Sequence, residues 1–321
     1  MRLVSYVIAA TVATLWLPTA AHAQNYPVKS VRIIVTAAPG GGLDPQARLV
    51  GKKFQESMGQ VFVIENRPGA ATMIGTEYVV KSPADGYTLL CTAATIATTV
   101  TLNKKLPFDL QKDLAPVGQI SSAGQFLIVH SSVPAVSVQA FIALAKKQAG
   151  KMNAGSGGTG SANHLALEMF KQRADIQVTH IPYKGSGPAT IALMSGEVDF
   201  SFAGSLSSIP HIRSGKIRAL AVTTAKISPL APAVPTLASF YPGFESTNWY
   251  AIFAPAGTPA AIVNKISAEI AGALKSPDVR EFMAKEGADP VGSTPQEFSA
   301  FFKSEVERYA KVIRAGNIRV E

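Results

Sequence analysis

The sequence predicts an α/β protein built as two lobes. Three observations carry that prediction. Short β-branched runs alternate with glycine-rich turns and helical spacings along the chain, which is the α/β signature. The 321 residues match about two domains of roughly 100–200 residues each. The composition, 47% hydrophobic and 16% charged with a single Cys, is that of a packed globular chain and excludes a disordered one.

The elements follow in order. Residues 31–35 (VRIIV) form a strand that runs into Pro39-Gly40-Gly41-Gly42-Leu43-Asp44. A helix is expected over 45–59, with Ala47, Leu49, Val50, Phe54 and Met58 at helical spacing. Strand 61–64, helix 73–81 and strand 87–91 come next. Strands are expected at 115–119 and 126–130, then a helix at 138–148. A short strand at 151–154 enters Gly155-Ser156-Gly157-Gly158-Thr159-Gly160-Ser161, and a helix follows at 162–172. Strand 178–181, helix 188–195, strand 199–202, helix 207–214 and strand 218–223 complete this stretch. A proline-rich loop at 227–244 leads to strand 249–254. Two amphipathic helices, 259–275 and 295–315, close the chain.

The N-terminus reads as a leader rather than as fold. Arg2 precedes a nearly all-apolar run at 3–17, and Ala21 and Ala23 have the small-x-small spacing of a cleavage site. The apolar run is shorter than the ~20 residues of a spanning helix. The expectation is an exported protein cut after Ala23. Cys91 cannot form an internal disulfide and sits in an apolar strand, so it reads as a buried thiol.

The formal charge of +9 suits an anion ligand or a soluble surface. The basic residues are scattered and not interleaved with aromatics, so no nucleic-acid partner is expected. No His-rich spacing suggests a metal, and no cofactor motif is complete. Gly155, Gly157 and Gly160 match G-x-G-x-x-G, but the acid expected about 20 residues on, Asp175, precedes the next strand instead of ending it. A Ser156–His164 dyad is conceivable, though His164 reads better as a residue that packs or caps locally. Asp44 reads as the N-cap of a helix that has Pro45 at its first position. Trp249 and Tyr250 read as core or cleft wall. Nothing assembles a nucleophile, base and oxyanion hole, so an enzyme is not expected.

The two glycine loops each follow a strand and open a helix. Either alone also reads as an ordinary βα turn. Together they favour an anion site, because glycine lets backbone N–H groups approach a ligand at a helix N-terminus.

Nine ordered motifs then carry a resemblance over nearly the whole chain: Tyr26-Pro27 with 31–35, Pro39-Gly40-Gly41-Gly42-Leu43-Asp44, Glu65-Asn66-Arg67-Pro68-Gly69-Ala70, Ala84-Asp85-Gly86-Tyr87, His164-Leu165, His180-Ile181-Pro182-Tyr183-Lys184-Gly185, 218–223 (RALAVT), Val234-Pro235-Thr236 and Ala254-Pro255-Ala256-Gly257-Thr258-Pro259. The sequence resembles the Bug family, the extracytoplasmic solute-binding receptors of tripartite tricarboxylate transporters. That resemblance implies a periplasmic-binding-protein fold: two α/β lobes around a ligand cleft, joined by two crossover strands. These are placed at 126–129 and 250–253, which gives lobe 1 as 24–125 with 250–321 and lobe 2 as 126–249.

It further implies a periplasmic protein that captures a small carboxylate (aromatic or aliphatic, mono-, di- or tricarboxylate) for transporter membrane subunits, and a monomer. A partner that presents its ligand to a signalling receptor, and less so a secreted hydrolase, are the alternatives. The ligand-binding positions implied are Ala38, Gly40, Gly41, Gly42, Asp44 and Thr92 in lobe 1. In lobe 2 they are Ser156, Gly157, Thr159, Gly160, Ser161, His164, Lys184 and Ala203. The chain departs from the family pattern at Leu43, at Ala37-Ala38 where an aromatic is frequent, and at Ala203 where many members carry Asp. Read as the loss of a cleft acid, Ala203 predicts a plain carboxylate and not an amino acid, and the small residues at 37–38 predict an aromatic or bulky one.

Overall fold

The computed structural model describes residues 26–39, 42–103 and 106–319. The leader read at 1–23 lies outside the described residues, as do Gly40 and Gly41.

The strands make two sheets that share one strand. The first has the order β2-β1-β3-β9-β4, with β1 (Val31–Val35), β2 (Phe62–Asn66), β3 (Thr88–Ala93), β4 (Leu114–His130) and β9 (Thr247–Pro255). Strand β1 runs parallel to β2 and β3, whereas β9 is antiparallel to both of its neighbours. The short β10 (Ala288–Pro290) pairs with β4. In the second sheet, the far half of β4 pairs with β7 (Phe200–Gly204) and β8 (Ile217–Val222). Strand β7 continues to β5 (Asn153–Ser156) and β6 (Thr179–Pro182) in parallel register.

Both sheets are covered on both faces, and this explains the apolar runs in central strands such as β3 and β9. In β1, Ile33 and Val35 turn to one core and Ile34 to another. The first core packs α1 (Leu43–Met58) and α9 (Ala260–Ala273) through Val50, Phe54, Ile266 and Ile270. The opposite face is covered by α2 (Met73–Val80), α3 (Thr95–Leu102) and α11 (Pro295–Ala315), with Trp249, Phe298, Phe302 and Tyr309 at its centre. In the second sheet, Leu127 and Val129 face α5 (Val138–Lys147) and α6 (Ala162–Ala174). Phe126 and Ile128 face the side of α7 (Ser186–Met194) and α8 (Ser205–Arg213). Cys91 is fully buried, and burial pushes its thiol up to about 12, in keeping with a core role.

Several sequence expectations need correction. The strands read at 115–119 and 126–130 are one 17-residue strand, β4. Its Ser121–Gln125 section is polar and small, which hid the continuity. Near the change of sheet, Gly124 is packed so closely that a Cβ would lie 2.5 Å from Thr224 Cγ2. Helix α3, the short α4 (Leu110–Asp113) and α10 (Pro277–Glu286) were not anticipated. Helix α10 buries only Val279 and Met283, so its apolar stripe is thin. Helix α1 starts at Leu43 with Gly42 as N-cap, so Asp44 is a second helical residue and not the cap.

Candidate functional site

A cavity of about 620 Å³ opens between the two sheets, within the usual range for small-molecule sites. Its walls come from the loop after β1, the switch region of β4, and the starts of α6, α7 and α8. Asn248, Tyr250, Glu286 and Ala288 close the remaining side.

Four helices present their N-terminal ends here: α1 through Gly42, α6 through Ala162 and Asn163, α7 through Ser186 to Pro188, and α8 through Ser205 and Ser207. Each such end carries about half a positive charge and N–H groups without helical partners. Three of these helices have a glycine N-cap, Gly42, Gly185 and Gly204, with no side-chain cap hydrogen bond. Helices α5 and α11, which do not line the cavity, are capped by Ser137 and Thr294 side chains. At these three starts the N–H groups have no side-chain partner and lie at the cavity, where an anion could accept from them. Lys184, exposed at the rim, adds a full positive charge.

Polar side chains complete the lining. Asn163 Nδ2 donates to the Phe202 carbonyl at 2.8 Å, and its Oδ1 accepts from the Ser186 hydroxyl at 3.3 Å. Gln46 Oε1 accepts from Ser121 at 2.6 Å, which leaves its amide nitrogen to donate. Tyr250 accepts from Asn248 Nδ2 at 3.2 Å. Burial, with the charge of Glu286 behind it, pushes the Tyr250 phenol far above its ordinary value, so it stays protonated.

Of the positions expected from sequence, Ala38, Gly42 and Lys184 line the cavity, and Gly40 and Gly41 lie outside the described residues. The rest stand behind it. Asp44 is buried, accepts from Asn66 Nδ2 at 2.9 Å and pairs with Arg48 at 3.0 Å. Thr92 shares a 2.9 Å hydrogen bond with Thr36 under the first loop.

The second glycine loop is screened from the cavity by the 183–186 turn, because Tyr183 and Gly185 N–H groups donate to the carbonyls of Ser156 and Gly157. Gly160 faces α3, with its carbonyl accepting from Thr98. Thr159 makes no side-chain hydrogen bond among the described residues, and Ser161 caps α6 by accepting from His164 N–H. Ser156 meets a histidine, but it is His180, at 2.6 Å, and not His164. His164 lies buried against His180, with Nδ1 accepting from Gly160 N–H. Ala203 is in the core beside Phe126 and Ile128, so it does not represent a lost cleft acid. Of the two aromatics, Trp249 is core and Tyr250 is cleft wall.

Sequence reasoning missed Gln46, Gln125, Asn163, Ser205, Ser207, Asn248 and Glu286 in the lining. A signal was available for α8, where Gly204-Ser205 follows a strand as the other glycine turns do. For Gln125 and Glu286 no local pattern marks the position.

The sequence matches the model of the tripartite tricarboxylate transporter family receptor over residues 46–318. It is 37% identical over 311 residues to protein BugT of Bordetella pertussis, covering 96% of this chain and 95% of that one. Among solved structures, an R. palustris protein with adipate superposes with a TM-score of 0.83 at 34% identity, covering 92% of this chain and 99% of that one. MatC from Rhodopseudomonas palustris with bound malate gives 0.79 at 29% identity, covering 90% and 100%. The periplasmic binding protein BugD gives 0.80 at 30% identity, covering 92% and 100%.

Proposed function

The chain belongs to the tripartite tricarboxylate transporter family of receptors, and from that premise we propose that it captures a small organic carboxylate in the cleft and hands it to the transporter's membrane subunits. The observation that carries this reading is the convergence of four helix N-termini, three of them capped by glycine alone, on one cavity that also has Lys184 at its rim. The relatives solved with adipate and malate support the ligand class.

The protein works in the periplasm as a monomer after cleavage following Ala23. Its role is stoichiometric capture and not turnover. Lobe 1 comprises 26–124 with 247–319, and lobe 2 comprises 125–246. Support for that division comes from the pairing of Thr247 with Gly124 in the first sheet and of Gln125 with Gly204 in the second. This division puts the return crossing at 247, against 250 in the sequence reading.

The test is a thermal-shift screen of refolded mature protein against a carboxylate panel, since refolding removes any ligand carried through purification. Ligand at a hundredfold excess over Kd stabilises the native state by about 2.7 kcal/mol. Shifts of about 2–4 °C or more with a restricted group of acids are expected. A folded sample that no acid shifts would overturn the reading.

A further inference from the structure

We propose that the cleft selects carboxylates that also carry a hydrogen-bond donor, a hydroxyl or an ammonium, and that Glu286 is the residue that selects them. The inference rests on the carboxylate-receptor reading.

The cavity is electrically lopsided. Four helix N-termini and Lys184 make part of its wall positive. Glu286 lines the cavity from the opposite kind of helix end, as the last residue of α10. The terminal carbonyls of that helix add negative partial charge beside its own carboxylate. Among the described residues, Glu286 has no hydrogen-bond or ion-pair partner. Its neighbour Lys285 is committed to Glu281 at 2.7 Å. Tyr250, which also lines the cavity, is held protonated and offers no charge. Burial accordingly raises the Glu286 carboxyl above its ordinary range, as expected for a carboxylate without a counter-charge.

A second group in the lining points the same way. Gln125 is 2% exposed and lines the cavity from the switch region of β4. Its Nε2 donates to the Ala162 carbonyl at 3.2 Å, and this fixes the orientation of the amide. Its Oε1 is then a buried acceptor with no donor among the described residues. Such an oxygen is costly to leave unmade and calls for a donor from the ligand side. Two acceptors without donors, in a cavity that also presents helix N-termini, describe a dipolar ligand. A plain dicarboxylate would set a second anion against Glu286. The acid that sequence analysis sought at position 203 is thus supplied from another element, and the expectation that amino acids are rejected is withdrawn.

The experiment uses refolded full-length mature protein and isothermal titration calorimetry with matched ligand sets. These are succinate, malate and aspartate; adipate, 2-hydroxyadipate and 2-aminoadipate; and phenylacetate, mandelate and phenylglycine. On the skeleton that binds, the hydroxy or amino member is expected to bind at least about tenfold more tightly than the unsubstituted acid. Glu286→Gln keeps an acceptor but no charge, so it retains a hydroxyl preference and loses an ammonium preference. Glu286→Leu abolishes both preferences. The Glu286 side chain makes no hydrogen bond or ion pair among the described residues, and unchanged melting of both unliganded variants checks that they fold. An unsubstituted acid that equals or beats its substituted partners in the wild type overturns the inference while the carboxylate reading stands. So does a preference that survives Glu286→Leu. Failure of every acid to bind overturns the carboxylate reading itself, and the inference with it.

Discussion

His180 and His164 lie face to face, 3.8 Å between ring centres and 9° from parallel, with Glu168 and Lys171 beside them. Burial above all, and then the neighbouring His164, lower the His180 value from 6.5 to about 4. Between those two values the unfolded chain binds a proton at this position and the folded chain does not. Stability is therefore expected to fall as pH drops from about 6.5 to about 4. His180→Gln keeps a partner for Ser156 and should flatten the dependence of melting temperature on pH across that window. An unchanged slope would remove His180 as its source. Lys184, exposed at the rim, acts through a screened charge. Lys184→Met should weaken carboxylate binding by about two- to fivefold at low salt and by less at high salt. Calorimetry at two ionic strengths measures the difference.

At the scale of elements, the starts of the helices matter more than their lengths. Gly204 has ordinary backbone angles, and a Cβ there would meet nothing within 4 Å. Its being glycine is thus not forced by packing. Gly204→Asp should cap α8 and place a carboxylate at the cavity wall. The expected outcome is a melting temperature equal to or above the wild type, with carboxylate affinity reduced by at least about tenfold. Retained affinity would remove α8 from the anion site.

Elements also divide into those legible in the sequence and those that were not. Strand β1 was readable because four of its five residues are buried β-branched side chains, with only Arg32 exposed. The glycine turns were readable as helix entries, but not as facing or hidden from ligand. The 155–161 loop has the stronger motif and sits behind the 183–186 turn, because two backbone hydrogen bonds bring that turn across it. Such a contact leaves no trace in composition. Glu286 was hidden for a related reason: α10 is mostly exposed, and an acid at its end looks like surface until the fold turns it toward Tyr250.

At the scale of the molecule, the two lobes are in close contact where Gly287 faces Ser205. A Cβ on Gly287 would lie 2.3 Å from Ser205 Oγ and 2.8 Å from Leu230 Cδ1, at a φ of +63°. Gly287→Ala is expected to hold the lobes apart, with weaker ligand binding and a larger radius of gyration by small-angle scattering. Ser205→Gly in the same chain should restore part of both. If the double variant were no better than Gly287→Ala alone, backbone strain at 287 and not the lobe contact would be responsible.

The sheet order has one more consequence, for the order in which the chain becomes a protein. Residues 31–93 supply three neighbouring strands of the first sheet, yet β3 acquires its outer neighbour only from Thr247–Pro255. The second sheet draws on a single uninterrupted stretch, from the far half of β4 to β8. The half synthesised first is therefore the half completed last. Until residue 255 has been made, the N-terminal strands lack the partner that closes their sheet, and they stay short of a locked globule. In an export route that threads the chain unfolded, this connectivity would favour late folding in the segment that enters the channel first.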